Sequence, residues 1–174
     1  MPEDKTVKQM LVVKVDKCVG CKSCELACAV EHSMSRELFQ AIQETPPPQT
    51  RVHVVQGERF AVPLQCQQCP DAPCVAVCPE GALKRASEGP ILLDKELCTR
   101  CTMCVVVCPF GVIVWDPKGR AVVKCDQCYE RILRGEPPAC VEACPAGALE
   151  FQDEDVVAEN AFLVQIAGEG AHEE

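Results

Sequence analysis

The residues with the clearest chemistry are 16 cysteines in a chain of 174, and their spacing sorts them into four groups with none left over. Cys18, Cys21, Cys24 and Cys28 follow C-x2-C-x2-C-x3-C, and Cys98, Cys101, Cys104 and Cys108 repeat that spacing. Cys66, Cys69, Cys74 and Cys78 follow C-x2-C-x4-C-x3-C, while Cys125, Cys128, Cys140 and Cys144 follow C-x2-C-x11-C-x3-C. Thiolates are soft ligands that suit zinc and iron–sulfur clusters. Two C-x2-C pairs can build a four-thiolate zinc site. Zinc gives no reason, however, for a third cysteine followed in every group by a fourth with three residues between them. Disulfides fit worse, because each quartet is packed too locally and the opening lacks the apolar run of a secretory signal.

An iron–sulfur protein does explain the pattern. In the C-x2-C-x2-C-x3-C-P run, three thiolates wrap one cluster and the fourth ligates its neighbour. Pro79, Pro109 and Pro145 follow the fourth cysteine of their groups, but Ala29 takes that place in the first, which is the odd one. Proline fits the first turn of a helix, so helical turns are expected after Cys28, Cys78, Cys108 and Cys144. Four [4Fe–4S] clusters account for all sixteen thiols.

Composition excludes several other classes. Lys and Arg number 17 against 26 Asp and Glu, a net charge of −9, and no basic block suits nucleic acid or an anionic membrane surface. Only three histidines are present, His32, His53 and His172, too few for extensive imidazole ligation. No run of 18 apolar residues marks a membrane span, so no direct membrane insertion and a cytoplasmic location are expected. The radical S-adenosylmethionine spacing, a glycine-rich phosphate loop and a nucleophile–histidine pair are all missing. The residues therefore point to a redox conduit with no catalytic site of its own. The acidic balance favours low potentials, and Lys22, Arg100 and Lys124, each beside a ligand, are candidates to raise individual ones.

Short elements should position the groups. Residues 11–15 and 91–93 predict strands leading into the first and third groups. Residues 51–55 with 60–64, and 112–115 with 121–124, predict hairpins, the second around Asp116-Pro117-Lys118-Gly119. Residues 31–44 predict a helix ending before Pro46, and 153–166 a C-terminal helix. The segment 29–65 carries no ligand and can serve as a cap or as a docking surface. The spacer 129–139 reads as a short helix before Gly135, with the same choice. An internal duplication is visible too: Cys78-Pro79-Glu80-Gly81-Ala82-Leu83 is matched by Cys144-Pro145-Ala146-Gly147-Ala148-Leu149.

From about residue 14 to 151, these motifs resemble the four-cluster ferredoxin-like electron-transfer subunits of dimethyl sulfoxide reductase, formate dehydrogenase and carbon monoxide dehydrogenase-associated systems. The resemblance implies an α+β fold of two bacterial-ferredoxin-like 2[4Fe–4S] units, interleaved in sequence. Residues 1–30 with 109–152 would form an outer unit, 60–108 an inserted one, 31–59 a cap, and 153–174 a helix and tail. It also implies the ligand sets. Cys18, Cys21 and Cys24 would share a cluster with Cys144, and Cys125, Cys128 and Cys140 one with Cys28. Cys66, Cys69 and Cys74 would go with Cys108, and Cys98, Cys101 and Cys104 with Cys78. Nitrate reductase relatives put Trp at one ligand position, whereas here Cys101 and all the other leading cysteines are present. The implied function is electron transfer inside an oxidoreductase complex. Its partners would be a catalytic subunit (a tungsten or molybdenum aldehyde or formate enzyme, carbon monoxide dehydrogenase or hydrogenase) and a second redox subunit such as a flavoprotein. The alternative is a freely diffusing polyferredoxin. Membrane-bound relatives often carry a C-terminal anchor, and the acidic end here leads to the expectation of a compact soluble member.

Overall fold

A computed structural model describes residues 9–87, 89–116, 119, 121–153 and 155–156. In chain order the first half contains β1 (Gln9–Val13), α1 (Ser23–Glu31), α2 (Leu38–Ala41), β2 (Val52–Gln56), β3 (Ala61–Gln65), α3 (Pro73–Ala76) and β4 (Leu83–Arg85). Then come β5 (Ile91–Leu93), α4 (Met103–Val107), β6 (Val114–Trp115), β7 (Val122–Val123), α5 (Tyr129–Leu133), α6 (Ala139–Glu142) and β8 (Leu149–Asp153). Among the described residues the strands pair antiparallel as four two-stranded sheets: β1 with β8, β2 with β3, β4 with β5 and β6 with β7.

Two cores result, and the chain enters one, leaves for the other and returns. In the first, Leu11, Val52, Val54, Ala61 and Leu149 pack with Cys24, Cys28 and Cys140. The β1–β8 register, with Leu11 opposite Phe151 and Val13 opposite Leu149, closes this unit by joining segments far apart in sequence. In the second, Ala72, Leu83, Ile91, Ile113 and Val122 pack with Cys74 and Cys104. Within the units α1 lies on α6 and α3 on α4. This is the interleaved, ferredoxin-like α+β arrangement, with the β6–β7 hairpin contributing Ile113 and Val122 to the second core.

The helices do not start where the prolines led us to expect. They begin before the fourth cysteine of each group and carry the third: Cys24 in α1, Cys74 in α3, Cys104 in α4 and Cys140 in α6. Proline drives the residue before it out of the helical region, and Cys108, which precedes Pro109, has φ −71° and ψ 112°. Pro79, Pro109 and Pro145 therefore end helices instead of opening them. A glycine then closes each turn. Gly81, Gly111 and Gly147, at φ of +60°, +61° and +59°, each donate N–H to the carbonyl of the fourth cysteine at 3.2 Å.

Ala29 explains why the first group differs. With no proline after Cys28, α1 runs on to Glu31, nine residues against four or five in its counterparts. Replacing Ala29 with Pro would restore the motif of the other groups, yet it removes a helical hydrogen bond and clashes with the preceding turn. A cost of about 3 kcal/mol is expected, read as a lower unfolding midpoint by circular dichroism. An unchanged midpoint would mean that this last turn contributes nothing.

The single helix expected over 31–44 is broken instead. Ser33 Oγ donates to the Val30 carbonyl at 2.6 Å and accepts from Arg36 N–H at 2.8 Å, competing with the helical pattern. Arg36 takes φ +55°. The Glu44 carboxylate accepts from the N–H groups of Met34 and Ser35, at 3.1 and 2.9 Å, and Glu37 caps α2 through Gln40 N–H at 3.0 Å. Strand β1 falls two residues earlier than expected because Val15–Lys17 forms a 3-10 turn. Both hairpins are present, as is the spacer helix α5. Pro117 and Lys118 lie outside the described residues, as does the expected C-terminal helix from residue 157 on. Among the described residues, no helix is long and apolar enough to cross a membrane.

Candidate metal centres

Each cysteine group is shaped by the same backbone device. The residue before the second cysteine takes a left-handed conformation in all four: Gly20 at φ +70°, Gln68 at +51°, Arg100 at +62° and Gln127 at +56°. Left-handed backbone costs a residue with a side chain roughly 1–2 kcal/mol, and strain repeated at equivalent places marks a loop shaped for a function. Glycine stands at position 20 for an added reason. A Cβ there would lie 2.9 Å from Gln56 Oε1 and 3.4 Å from Ala61 Cβ, because the β2–β3 hairpin covers this loop.

The fold gathers cysteines across groups. Cys18, Cys21, Cys24 and Cys144 line one recess together with Val19, Val54 and Leu149. Cys28, from the first group, lies close enough to Cys125, Cys128 and Cys140 of the fourth to raise the cost of ionising each of them. In the second unit Cys74 is influenced by Cys66 and Cys108, and Cys104 by Cys101 and Cys98. Cys78 packs on the core that holds Cys104. Cys69 sits in the loop whose carbonyl accepts from Arg85 at 2.5 Å. Among the described residues, no three Cys, His, Asp or Glu side chains converge on a single-ion position.

Burial differs between these gatherings. Cys28, Cys125, Cys128 and Cys140 are all buried, whereas Cys21 and Cys101 are exposed. Burial penalises a thiolate. It pushes Cys24 up to about 11 and Cys128 up to about 12, and raises Cys125 and Cys140 further. It also raises Cys74 and Cys104. Iron must displace these protons to bind.

Cys28 is the exception. Burial is again the largest influence and would raise it, but His32, the Arg51 N–H and Thr50 together bring it below the ordinary thiol value. The Arg51 N–H donates to Cys28 Sγ at 3.2 Å, and His32 Nδ1 lies 2.8 Å from the Cys28 carbonyl and 3.7 Å from its sulfur. Behind them His32 Nε2 is 3.2 Å from Asp126 Oδ1, and Arg51 Nη1 is 2.6 Å from Asp126 Oδ2. Burial disfavours a charged His32, but Asp126 and Cys28 outweigh it and push the imidazole up to about 9. Asp126 would likewise be raised by burial, but His32 and Arg51 hold it well below the usual carboxylate range.

His32, Arg51 and Asp126 were not among the sequence candidates. The one signal in the sequence that could have led to them is Ala29, since the extra turn of α1 it permits carries the chain to His32. The segment 29–65 covers the first core through Val52, Val54 and Ala61, with the Val54 N–H held by Glu25 Oε1 at 2.5 Å. The spacer also closes onto the unit. Arg131 of α5, 14% exposed, pairs with Glu31 at 3.4 Å and with Glu142 at 2.5 Å, tying α5 to α1 and α6.

The donors fit iron–sulfur clusters, which Cys thiolates hold: every gathering is of thiols, on strained loops that repeat. Gln65, the residue before Cys66, is 2% exposed, and neither of its amide atoms has a hydrogen-bond partner among the described residues. A buried amide of this kind calls for a partner that the described residues do not supply.

The chain matches the 4Fe-4S dicluster domain over residues 58–154, and a second family of the same description over residues 17–83. It is 42% identical over 152 residues to an iron-sulfur protein of Rhodospirillum rubrum, covering 80% of each chain. It is 35% identical over 158 residues to the electron transport protein HydN of Escherichia coli, covering 82% of this chain and 87% of that one. With one polypeptide of the anaerobic dimethyl sulfoxide reductase of Escherichia coli the identity is 34% over 151 residues, covering 84% of this protein and 74% of that one.

Fold and thiol loops together define a ferredoxin-like iron–sulfur protein that transfers electrons. Within that class, the chain belongs to the 4Fe-4S dicluster family.

Proposed function

We propose that the chain carries four [4Fe–4S] clusters and conducts electrons between the other subunits of a multisubunit oxidoreductase. The ligand sets are Cys18, Cys21, Cys24 and Cys144; Cys125, Cys128, Cys140 and Cys28; Cys66, Cys69, Cys74 and Cys108; and Cys98, Cys101, Cys104 and Cys78. The observation that carries this reading is the recess shared by Cys18, Cys21, Cys24 and Cys144, in which three thiols of one group meet the fourth of another. The packing of α1 on α6 and of α3 on α4 supports the remaining sets. When bound, such clusters take up and release single electrons. The protein's own part is to hold them, exclude water from them and adjust the charge around them.

Membership of a complex is supported by the relatives, one of them part of a reductase and another an electron transport protein. Surface composition supports it too, since Met34, Phe39 and Ile42, on and beside α2, are 78, 70 and 65% exposed. Partners of the class expected are a catalytic metal-containing subunit of an aldehyde, formate, carbon monoxide or hydrogen enzyme, and a second redox subunit such as a flavoprotein. Residues 1–30 with 109–152 and residues 60–108 serve as the two cluster-binding units, although Ile113 and Val122 pack in the second core, with 31–59 as the cap and 153–174 as a helix and tail.

Iron and acid-labile sulfide on the anaerobically purified protein test the count. About sixteen of each per chain are expected for four cubanes. Values near half that, or stoichiometric zinc, would overturn it. Purification from the native source tests the setting: a stable complex is expected, and a detached monomer would favour the diffusible polyferredoxin.

A further inference from the structure

Lys124 precedes Cys125 and is only 3% exposed. Its Nζ donates to two backbone carbonyls, those of Ile91 at 2.5 Å and Cys125 at 2.7 Å. Gln68 grips the same two residues. Its Nε2 donates to the Cys125 carbonyl at 2.9 Å, and its Oε1 accepts from the Ile91 N–H at 2.8 Å. Gln68 lies between Cys66 and Cys69 in one of the strained left-handed positions, and Ile91 is 0% exposed in the second core. A closed ring of hydrogen bonds thus joins the ligand loop of the second group to that of the fourth, across the two units.

A buried cation is costly unless something compensates it. The partners of Lys124 are carbonyls, one of Cys125 itself and one of Ile91, which packs in the same core as Cys74. On the ligand sets proposed above, those thiols hold different clusters, one in each unit. Lys22 and Arg100 also neighbour ligands, but they are exposed, and Arg100 turns outward to the Gly119 carbonyl at 3.1 Å. Solvent screens charges so placed.

We propose that Lys124, braced by Gln68, is the positioning residue that sets the potentials of the two clusters whose ligand loops it joins, and so controls electron passage between the units. The physical argument is one of charge. Reduction adds an electron, and a fixed positive charge in a dry interior favours the reduced form on both sides of the boundary. Raising both potentials together keeps the two sides matched, so that neither becomes a trap. This inference rests on the four-cluster reading.

The test is a redox titration of the full iron-loaded chain, followed by electron paramagnetic resonance, for wild type and for Lys124→Met. Two of the four midpoint potentials are expected to fall and two to stay. At fixed potential, the reduced-to-oxidised ratio of the affected pair should drop about tenfold, or about 59 mV for a one-electron couple. Lys124→Arg keeps the charge and is expected to restore both potentials, which a merely structural role would not require. Should Lys124→Met fail to hold iron, Gln68→Glu places a negative charge in the same ring and is expected to lower the same two potentials. A shift in all four, in one alone, or in none overturns the role of Lys124. A wild-type chain with well under about sixteen irons instead overturns the four-cluster reading beneath it.

Discussion

Replacing Cys144 with Ser is expected to remove the cluster proposed for Cys18, Cys21 and Cys24, although Cys144 lies 120 residues or more from each of them in sequence. About four of sixteen irons per chain should be lost. The resonance that disappears should be the one lost in Cys24→Ser, and it should persist in Cys128→Ser, although Cys128 belongs to the same sequence group as Cys144. A group-by-group assignment predicts the reverse pairing, so the two single variants decide between them. The structural basis is the recess that Cys144 shares with the leading three cysteines of the first group. Stability should fall with the cluster. A link closing a loop of about 100 residues removes some 4–5 kcal/mol of chain entropy from the unfolded state when it is a disulfide, and a shared cluster closes a loop of that order here. Against a typical stability of about 5–15 kcal/mol, the loss should be plain in a denaturant midpoint.

Local chemistry was legible in the sequence, and distant geometry was not. The four groups could be read because each opens on a C-x2-C pair and closes on a C-x3-C pair. The β2–β3 and β6–β7 hairpins could be read from their β-branched runs. The fate of the prolines was misjudged: Pro109 fits a first helical turn by its own φ, but its effect on Cys108 decides the matter, and the helix ends there. The break at residues 32–37 depended on Ser33 and Glu44 side chains reaching backbone groups, a competition that apolar periodicity does not register. Asp126 and His32 are 94 residues apart, and only the packing of the two ends of the chain into one unit makes them neighbours. Lys124 stood out as a cation beside a ligand. What the sequence did not convey was its burial, which gives its charge a reach that Lys22 and Arg100 lack.

Removing iron is expected to unfold the protein. Extraction with a chelator and an oxidant, followed by far-ultraviolet circular dichroism and limited proteolysis, should give a largely disordered, rapidly cleaved chain that regains protection when iron and sulfide are restored. The reason lies in what each core contains. The first has five buried non-cysteine residues, Leu11, Val52, Val54, Ala61 and Leu149, and the second also five, Ala72, Leu83, Ile91, Ile113 and Val122. None is aromatic, and the side chains of Val, Leu and Ile contribute about 1.5–3 kcal/mol each when buried. Ordering the backbone costs about 1–2 kcal/mol per residue, so cores of this size leave little margin. The sheets do not compensate, since each has two strands among the described residues and a lone two-stranded ribbon is marginal in water. α3, α4, α5 and α6 are four or five residues long, far below what holds a helix by itself. Thiols that burial keeps protonated offer packing but no cross-link. On the proposed ligand sets, iron would turn the same side chains into ties between α1 and α6 and between α3 and α4, the contacts around which both cores are built. Retention of protease resistance and of the helical signal in the iron-free chain would show that apolar packing alone suffices, and that the clusters are guests in a fold which stands without them.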